Sequence, residues 1–469
     1  MSAGFVAEVR RGNTGFLLRI AVIAAIGGFL FGYDTGIISG AQLYITKDLH
    51  ASTLEQQWLV GSLLVGAVCG AIASAYSSDR IGRKRTKIIA GVVYLIGGLA
   101  SGFAPSIGML LVARFVLGLA VGTASFVSVE YISEQAPKQL RGGVTSFNQL
   151  MVTLGILVSY LVAAGFQNVG GTWRWMLGLS AVAGLALAVG MMTVPESPRW
   201  LVANGRVDEA RTVLGRTRAA DEIDDEVDEI QQTAEKESQR RFTELFSNPL
   251  RPLMIVGLIL AAGQQLIGVN TVIYYSATIL HFTGLSADDS VLQAISVGVT
   301  NVIFTIIAVL LLDRVGRRPL LLTGTAAAVV ALVGLGLWFQ LGSWQHHGWL
   351  ALAFLLLFMA GFAIGLGPVF WLMISEIYPL AIRSKAMSVA TVVNWAANFA
   401  VSYLFLQLVG AVGKPVTFWI YAAFGILSFG FFFWRLPETR HRSLEQIERE
   451  LGVPAGQGTA DRDAGEAEA

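Results

Sequence analysis

One carboxylate stands where an apolar side chain is expected. Asp34 lies in "FLFGYDTGIISG", Phe29 to Gly40, inside a long apolar run with no basic residue near it in sequence. A charge at that depth costs about 2.5–3.5 kcal/mol even on the mildest insertion scale, so it must be paired or protonated. Arg114, in "VARFVLGLAVG", is the one basic residue that the sequence places well inside another apolar run. At a helical rise of 1.5 Å per residue, both residues lie roughly 10 Å below the outer surface. Their depths match. Glycines 28, 32, 36 and 40 recur every fourth residue, which gives this helix a flat face for close packing, and Asp34 points away from the middle of that face. The pair is either a static link between helices or a proton-binding site, and intramembrane ionisable groups are functional by default.

Amides form the second group. "AGQQLIGVNTVIYYS" carries Gln264, Gln265 and Asn270 within an apolar segment. Amides in hydrocarbon need partners and therefore face the protein interior. Helical spacing does not put all three on one stripe, but Gly268 between them allows a break, which is tolerated at membrane depth where backbone lines a cavity. For each amide alone, including Asn301 and Asn394, the alternative is an ordinary helix–helix hydrogen bond.

These groups need apolar helices to hold them. The chain has 469 residues, 54% hydrophobic and only 14% charged, with a mean hydropathy of +0.62, which excludes a soluble globular domain. About twelve apolar runs have the ~20-residue length that crosses a bilayer core. They centre on Ala25, Leu64, Leu95, Leu117, Leu157, Leu185, Ile267, Phe304, Val330, Ala360, Ala397 and Leu427. Short loops holding Arg80, Arg83, Lys84, Arg85 and Lys87, then Arg314, Arg317 and Arg318, alternate with loops that hold only Lys47, Arg174 and Lys414. By the positive-inside rule both termini are expected to be cytoplasmic. No cleavable signal is expected, because the first run is too long and further spans follow. The single cysteine, Cys69, is read as a packing residue with no internal disulfide. No nucleotide, metal or covalent catalytic signature is present, so neither an enzyme nor a cofactor is expected.

The expected class is therefore an all-α membrane protein of twelve helices in two six-helix bundles. Hydrophobicity collapses in "VDEARTVLGRTRAADEIDDEVDEIQQTAEKESQRR", which reads as short charged cytoplasmic helices. The expected segments are a cytoplasmic start (1–16), a first bundle (17–198), a helical linker (199–248), a second bundle (249–436) and a largely disordered acidic tail (437–469). The halves echo each other. "SDRIGRKR" returns as "LDRVGRRP", "SEQAPKQLR" as "SEIYPLAIR", and "PESPR" as "PETRHR", in the same order. Repeated halves of this kind place a site at their interface and rock around it.

With these motifs the chain resembles the sugar porters of the major facilitator superfamily, from about Phe29 to Glu448. The D-R-x-G-R loops mark the superfamily, whereas "PESPRWL", "QQLIGVNTVIYY" and the "PETR…SLEQIE" ending are specific to sugar porters. Val129, Glu130 and His441 depart from the pattern, where the family usually has proline, an apolar residue and glycine. The resemblance implies substrate contacts at Gln149, Gln264, Gln265, Asn270, Asn301, Trp371, Asn394 and Trp395. Asn and Gln both donate and accept, as sugar hydroxyls do, and the tryptophans offer flat faces to a pyranose ring. It implies a cytoplasmic salt-bridge gate at Asp79, Arg83, Glu134, Arg141, Glu196, Asp313, Arg317, Glu376, Arg383 and Glu438; the alternative is that the cations only hold the loops inside. It also implies that Asp34 with Arg114 couples protons, since facilitative members have a neutral residue there. Ile156 is aliphatic as in glucose carriers, and Ala363 replaces a glutamate of glucose facilitators.

The leading expectation is a proton-coupled symporter importing a monosaccharide, a hexose before a pentose or myo-inositol, across the plasma membrane. Its rivals are a facilitative uniporter, against which Asp34 argues, a sugar sensor, which would need a longer tail, and a drug exporter, against which the Gln264–Asn270 motif argues. The expected partners are the sugar, the proton and the lipid bilayer, with no nucleic acid, and the chain is expected to act as a monomer.

Overall fold

Long apolar runs satisfy their backbone inside a bilayer only as helices or closed barrels. The computed structural model describes residues 14–136, 141–218, 220–239, 245–246, 250–341, 347–379, 382–440, 442 and 446. Among these every long element is helical and no strand occurs.

The first helices are α1 (Thr14–Asp48), α2 (Thr53–Ile81), α3 (Arg83–Gly102), α4 (Ile107–Gln135), α5 (Arg141–Phe166) and α6 (Thr172–Met192). Helix α7 (Arg251–Tyr274) ends in a separate turn, Ser276–His281, and α8 (Ala287–Val315), α9 (Arg317–Gln340) and α10 (Gly348–Ile377) follow. A last helical stretch, Arg383–Arg435, turns at Gly413 (φ 82°, ψ 164°) just before Pro415, which divides it into α11 (383–412) and α12 (414–435). Ten of these stretches are apolar and long enough to cross a membrane, and Lys385–Arg435 is one of them. With that stretch counted twice and the 20-residue, more basic α3 added, twelve crossing segments result.

Two compact units divide the chain: residues 1–232 with 271–302, and residues 233–270 with 303–469. Within the first, α1 packs along α5. The glycine row makes this possible, since a Cβ on Gly32 would lie 1.9 Å from the Val152 carbonyl oxygen. After α6, the short helices Pro198–Ala203, Val207–Leu214 and Ile223–Gln239 close a small core around Trp200, Leu201, Val213, Leu214 and Val227. Ser197 caps the first of them, with Pro198 at its first position, as helix starts favour. Cys69, read as a packing residue, is instead exposed on α2: the side of that helix it occupies is not covered by the described residues.

Candidate functional site

Asp34 on α1 and Arg114 on α4 meet. Arg114 Nη1 donates to Asp34 Oδ1 at 2.8 Å, with the side chains 0% and 1% exposed. Arg114 Nε donates to the Leu59 carbonyl of α2 at 2.9 Å, so the guanidinium ties three helices. The pair is joined by one bond only. Asp34 Oδ2 and Arg114 Nη2 are buried without a partner among the described residues, and unsatisfied buried groups of this kind are rare in native structures. The carboxylate therefore has a free oxygen that can take a proton without displacing another donor.

The amides of α7 converge because the helix breaks. Gly268 has φ 87°, a left-handed conformation that glycine adopts without penalty, and its N–H closes a tight turn onto the Gln265 carbonyl at 2.8 Å. Asn270 Nδ2 then reaches back to Gln265 Oε1 at 2.9 Å. Gln265 Nε2 donates to Gln264 Oε1 and to Asn394 Oδ1 of α11 at 3.2 and 3.1 Å. Asn394 Nδ2 donates to Gln264 Oε1 at 2.6 Å and to the Ala261 carbonyl at 3.0 Å. Gln264 Nε2 donates to the Leu366 carbonyl at 2.7 Å. Leu366 ends a π-turn, Phe362–Leu366, within α10, a local widening common at functional sites. One amide network thus links α7, α10 and α11. Both N–H donors of Gln265 and of Asn394 are used, whereas Asn270 has one N–H and its oxygen outside this network, the largest reserve for a further partner.

The remaining predicted contacts are distributed between the units. Trp395 is buried, and Trp371 is half-buried with its ring 4.8 Å from Phe370, edge-on. Gln149 is half-buried on α5. Asn301 on α8 is 1% exposed, and neither its Oδ1 nor its Nδ2 has a partner among the described residues.

The repeated charge motifs match down to single atoms. Arg83 Nη1 donates to the Ser78 carbonyl and Arg317 Nη1 to the Leu312 carbonyl, each at 3.1 Å. Arg83 is within 3.0 Å of Asp79 and has a 3.2 Å contact with Glu134, while Arg317 Nη2 donates to Glu376 at 3.1 Å. Ser197 Oγ donates to Glu134, and Thr439 Oγ1 donates to Glu376. Glu196 accepts the Lys84 N–H at 3.0 Å and the Ser197 N–H at 2.9 Å; Glu438 accepts those of Arg318 and Arg440 at 3.0 and 2.9 Å. Each "PE" glutamate therefore caps the start of a distant helix, α3 or α9, where the four leading N–H groups need acceptors. Burial pushes the Glu196 carboxyl up, against the backbone N–H groups that pull it down. Arg383 Nε donates to the Tyr378 carbonyl at 3.1 Å. The side chains of Arg141 and Asp313, and His441, lie outside the described residues.

Two groups escaped the sequence reading. Glu130, noted there only as a departure, accepts from Arg83 Nη2 at 2.8 Å. Lys87, assigned to a cytoplasmic loop, is 0% exposed within α3 and donates to the Ala24 carbonyl at 2.7 Å, its Nζ 5.7 Å from the Tyr131 ring centroid. Arg114 is therefore not the only cation held inside the helices. The reason is that α3 begins directly after Gly82, which carries Lys87 a full turn into the bundle.

Residues 20–451 match the model of the family described as sugar (and other) transporters. The D-xylose transporter of Levilactobacillus brevis is 38% identical over 97% of this chain and 99% of that protein. The galactose-proton symporter of Escherichia coli K12 is 38% identical over 94% of this chain and 96% of that protein. A solved structure of the proton:xylose symporter XylE bound to 6-bromo-6-deoxy-D-glucose superposes with a TM-score of 0.81, at 31% identity over 93% of this chain and 99% of that one. The matched motifs span the twelve helices described above, and the chain belongs to the sugar porter family of the major facilitator superfamily: it is an integral membrane sugar transporter, not an enzyme.

Proposed function

We propose that this transporter is a proton-coupled symporter that imports a monosaccharide, a hexose first, across the cell membrane, with both termini cytoplasmic. The observation that carries the coupling is the Asp34–Arg114 pair: buried, joined by one 2.8 Å bond, with Asp34 Oδ2 left without a partner. Ionised Asp34 holds α1 to α4 through Arg114, and a proton on Oδ2 cancels that attraction. An equilibrium between carrier states then depends on the proton and the sugar together.

The sugar is held by Gln264, Gln265, Asn270 and Asn394 with Gln149 and Asn301, against Trp371 and Trp395. Asn301 supports this, since a buried amide with neither atom bonded needs a polar partner. Ile156, aliphatic as in glucose carriers, favours a hexose, while Ala363, where glucose facilitators carry a glutamate, pulls the other way. Relatives named for xylose and for galactose make the neighbouring pentoses and hexoses the panel to test. The bundles 17–198 and 249–436 are the rocking units, joined by the linker 199–248 and followed by the tail 437–469, and one chain suffices as a monomer. Arg83, Asp79, Glu134, Arg141 and Glu196, with Asp313, Arg317, Glu376, Arg383 and Glu438, form the cytoplasmic gate.

Uptake of radiolabelled glucose, galactose, xylose, arabinose and myo-inositol into energised vesicles tests the proposal. Accumulation above the outside concentration, collapsing with a protonophore, is expected for at least one hexose. Uptake that stops at equality, unchanged by the protonophore, identifies a uniporter and overturns the coupling.

A further inference from the structure

We infer that Glu130 is a second proton-binding carboxylate of this transporter, set in the cytoplasmic charge cluster, and that its protonation hands Arg83 over to Glu134. This rests on the cytoplasmic gate proposed above and does not involve Asp34.

The repeat shows what Glu130 replaces. "SEQAPKQLR" returns as "SEIYPLAIR", so Glu134 corresponds to Glu376 and Glu130 to Leu372. In the second half Arg317 Nη2 donates to Glu376 at 3.1 Å. In the first half the same atom of Arg83 donates instead to Glu130 Oε1 at 2.8 Å. Glu134 keeps a 3.2 Å contact with Arg83 Nε, an atom with no hydrogen-bond partner among the described residues. Glu130 has therefore taken the aligned bond that the repeat gives to Glu134.

The resulting cluster carries surplus negative charge. Asp79 of α2 and Glu130 and Glu134 of α4 contact the one guanidinium at 3.0, 2.8 and 3.2 Å, and the charged groups that face Glu130 are Arg83, Glu134 and Asp79. Glu130 and Glu134 lie four residues apart on one helix face, where like charges repel. A proton on one of several carboxylates that share a site relieves that repulsion. Glu134 already accepts the Ser197 hydroxyl, whereas Glu130 Oε2 is buried with no partner among the described residues. Beside it the Ser78 hydroxyl of α2 is likewise buried and without a partner. A hydroxyl accepts as well as donates, so Ser78 can receive the O–H of neutral Glu130. The proton cancels the charge that holds Arg83 Nη2, and Glu134 can then take the bond that Glu376 makes to Arg317.

At 1.5 Å per residue, Glu130 lies about 24 Å along α4 from Arg114. The two carboxylate–arginine pairs thus stand at opposite ends of this helix, and cytoplasmic pH can act on the gate without passing through Asp34.

The test takes the full chain in detergent, without sugar, and records infrared difference spectra between alkaline and acid pH. On acidification the native protein is expected to gain a carboxylic-acid C=O band that Glu130→Gln loses and Glu134→Gln retains. Glu130→Leu, which copies Leu372, should lose the same band. Spectra of both Glu130 variants identical to the native one overturn the proton site. Melting reads the handover: Glu134→Gln should lower the melting temperature about twice as far in the Glu130→Gln background as in the native chain, because both carboxylates act on one guanidinium. Equal drops in the two backgrounds overturn the handover. Failure of the gate reading appears instead as an unchanged ratio of inside to outside cysteine accessibility when Glu134→Gln is combined with Glu376→Gln, and it leaves both contrasts standing.

Discussion

Replacing Asp34 by asparagine should separate transport from accumulation. Arg114 Nη1 donates to a single Asp34 oxygen at 2.8 Å, and an asparagine Oδ1 can accept the same bond, so the geometry survives while the negative charge is lost. The amide mimics the protonated acid. Counterflow exchange and sugar binding should therefore persist, because neither requires a change of charge during the cycle. If Asp34 carries one proton per cycle, a membrane potential contributes about 2.3 kcal/mol per charge per 100 mV to accumulation. At a potential of about 150 mV that is roughly 3.5 kcal/mol, or several-hundredfold accumulation for the native protein. Asp34→Asn should accumulate nothing above equality and produce no sugar-induced alkalinisation outside the vesicles. Asp34→Ala serves as the contrast: it removes the acceptor as well and leaves a buried guanidinium unpaired, at a cost of about 3–5 kcal/mol in stability. Two results refute the reasoning: an Asp34→Asn protein that still concentrates sugar, or a native protein that never does. Either would leave the carboxylate as a link between α1 and α4 and nothing more.

Asn270→Ala should weaken sugar binding about ten- to a hundredfold with little change in melting, since Asn270 makes one bond in the amide network; unchanged affinity would remove it from the site. Gln265→Ala should weaken binding similarly but also lower the melting temperature in detergent, because Gln265 bonds Gln264, Asn270 and Asn394. Glu134→Gln combined with Glu376→Gln should shift the ratio of inside to outside cysteine accessibility toward the inward-facing state, and an unchanged ratio would favour a purely topological role for the cytoplasmic cations. Glu196→Ala should cost about 1–2 kcal/mol in stability as the start of α3 loses its acceptor, with Glu196→Gln losing less; equal melting of Glu196→Ala and the native protein would mean that the cap contributes nothing.

What the sequence made legible follows from where the physics is local. Apolar length is local to a run, so the helices could be read from composition, and the unpaired Asp34 could be matched to Arg114 because depth in a bilayer is nearly a function of residue number. The paired motifs were legible for a different reason: duplication shows the same residues twice, and Arg83 with Ser78 and Arg317 with Leu312 make the same bond at the same 3.1 Å. Burial across helices is not local. Lys87 looked like one more loop cation, and its depth depends on α3 starting at once after Gly82. Cys69 looked like packing, and its exposure depends on which side of α2 no other helix covers.

The break in α7 lies between these cases. Gly268 announced it in sequence, and it does bring Asn270 back to Gln265. The second interruption, at Tyr275, carries no glycine or proline. Its cause lies in α1 and α5, whose hydroxyls hold the Ala277 N–H and the Ile273 carbonyl. A bend set by its own residue persists whatever surrounds it, whereas a bend set by distant side chains lasts only as long as their contact.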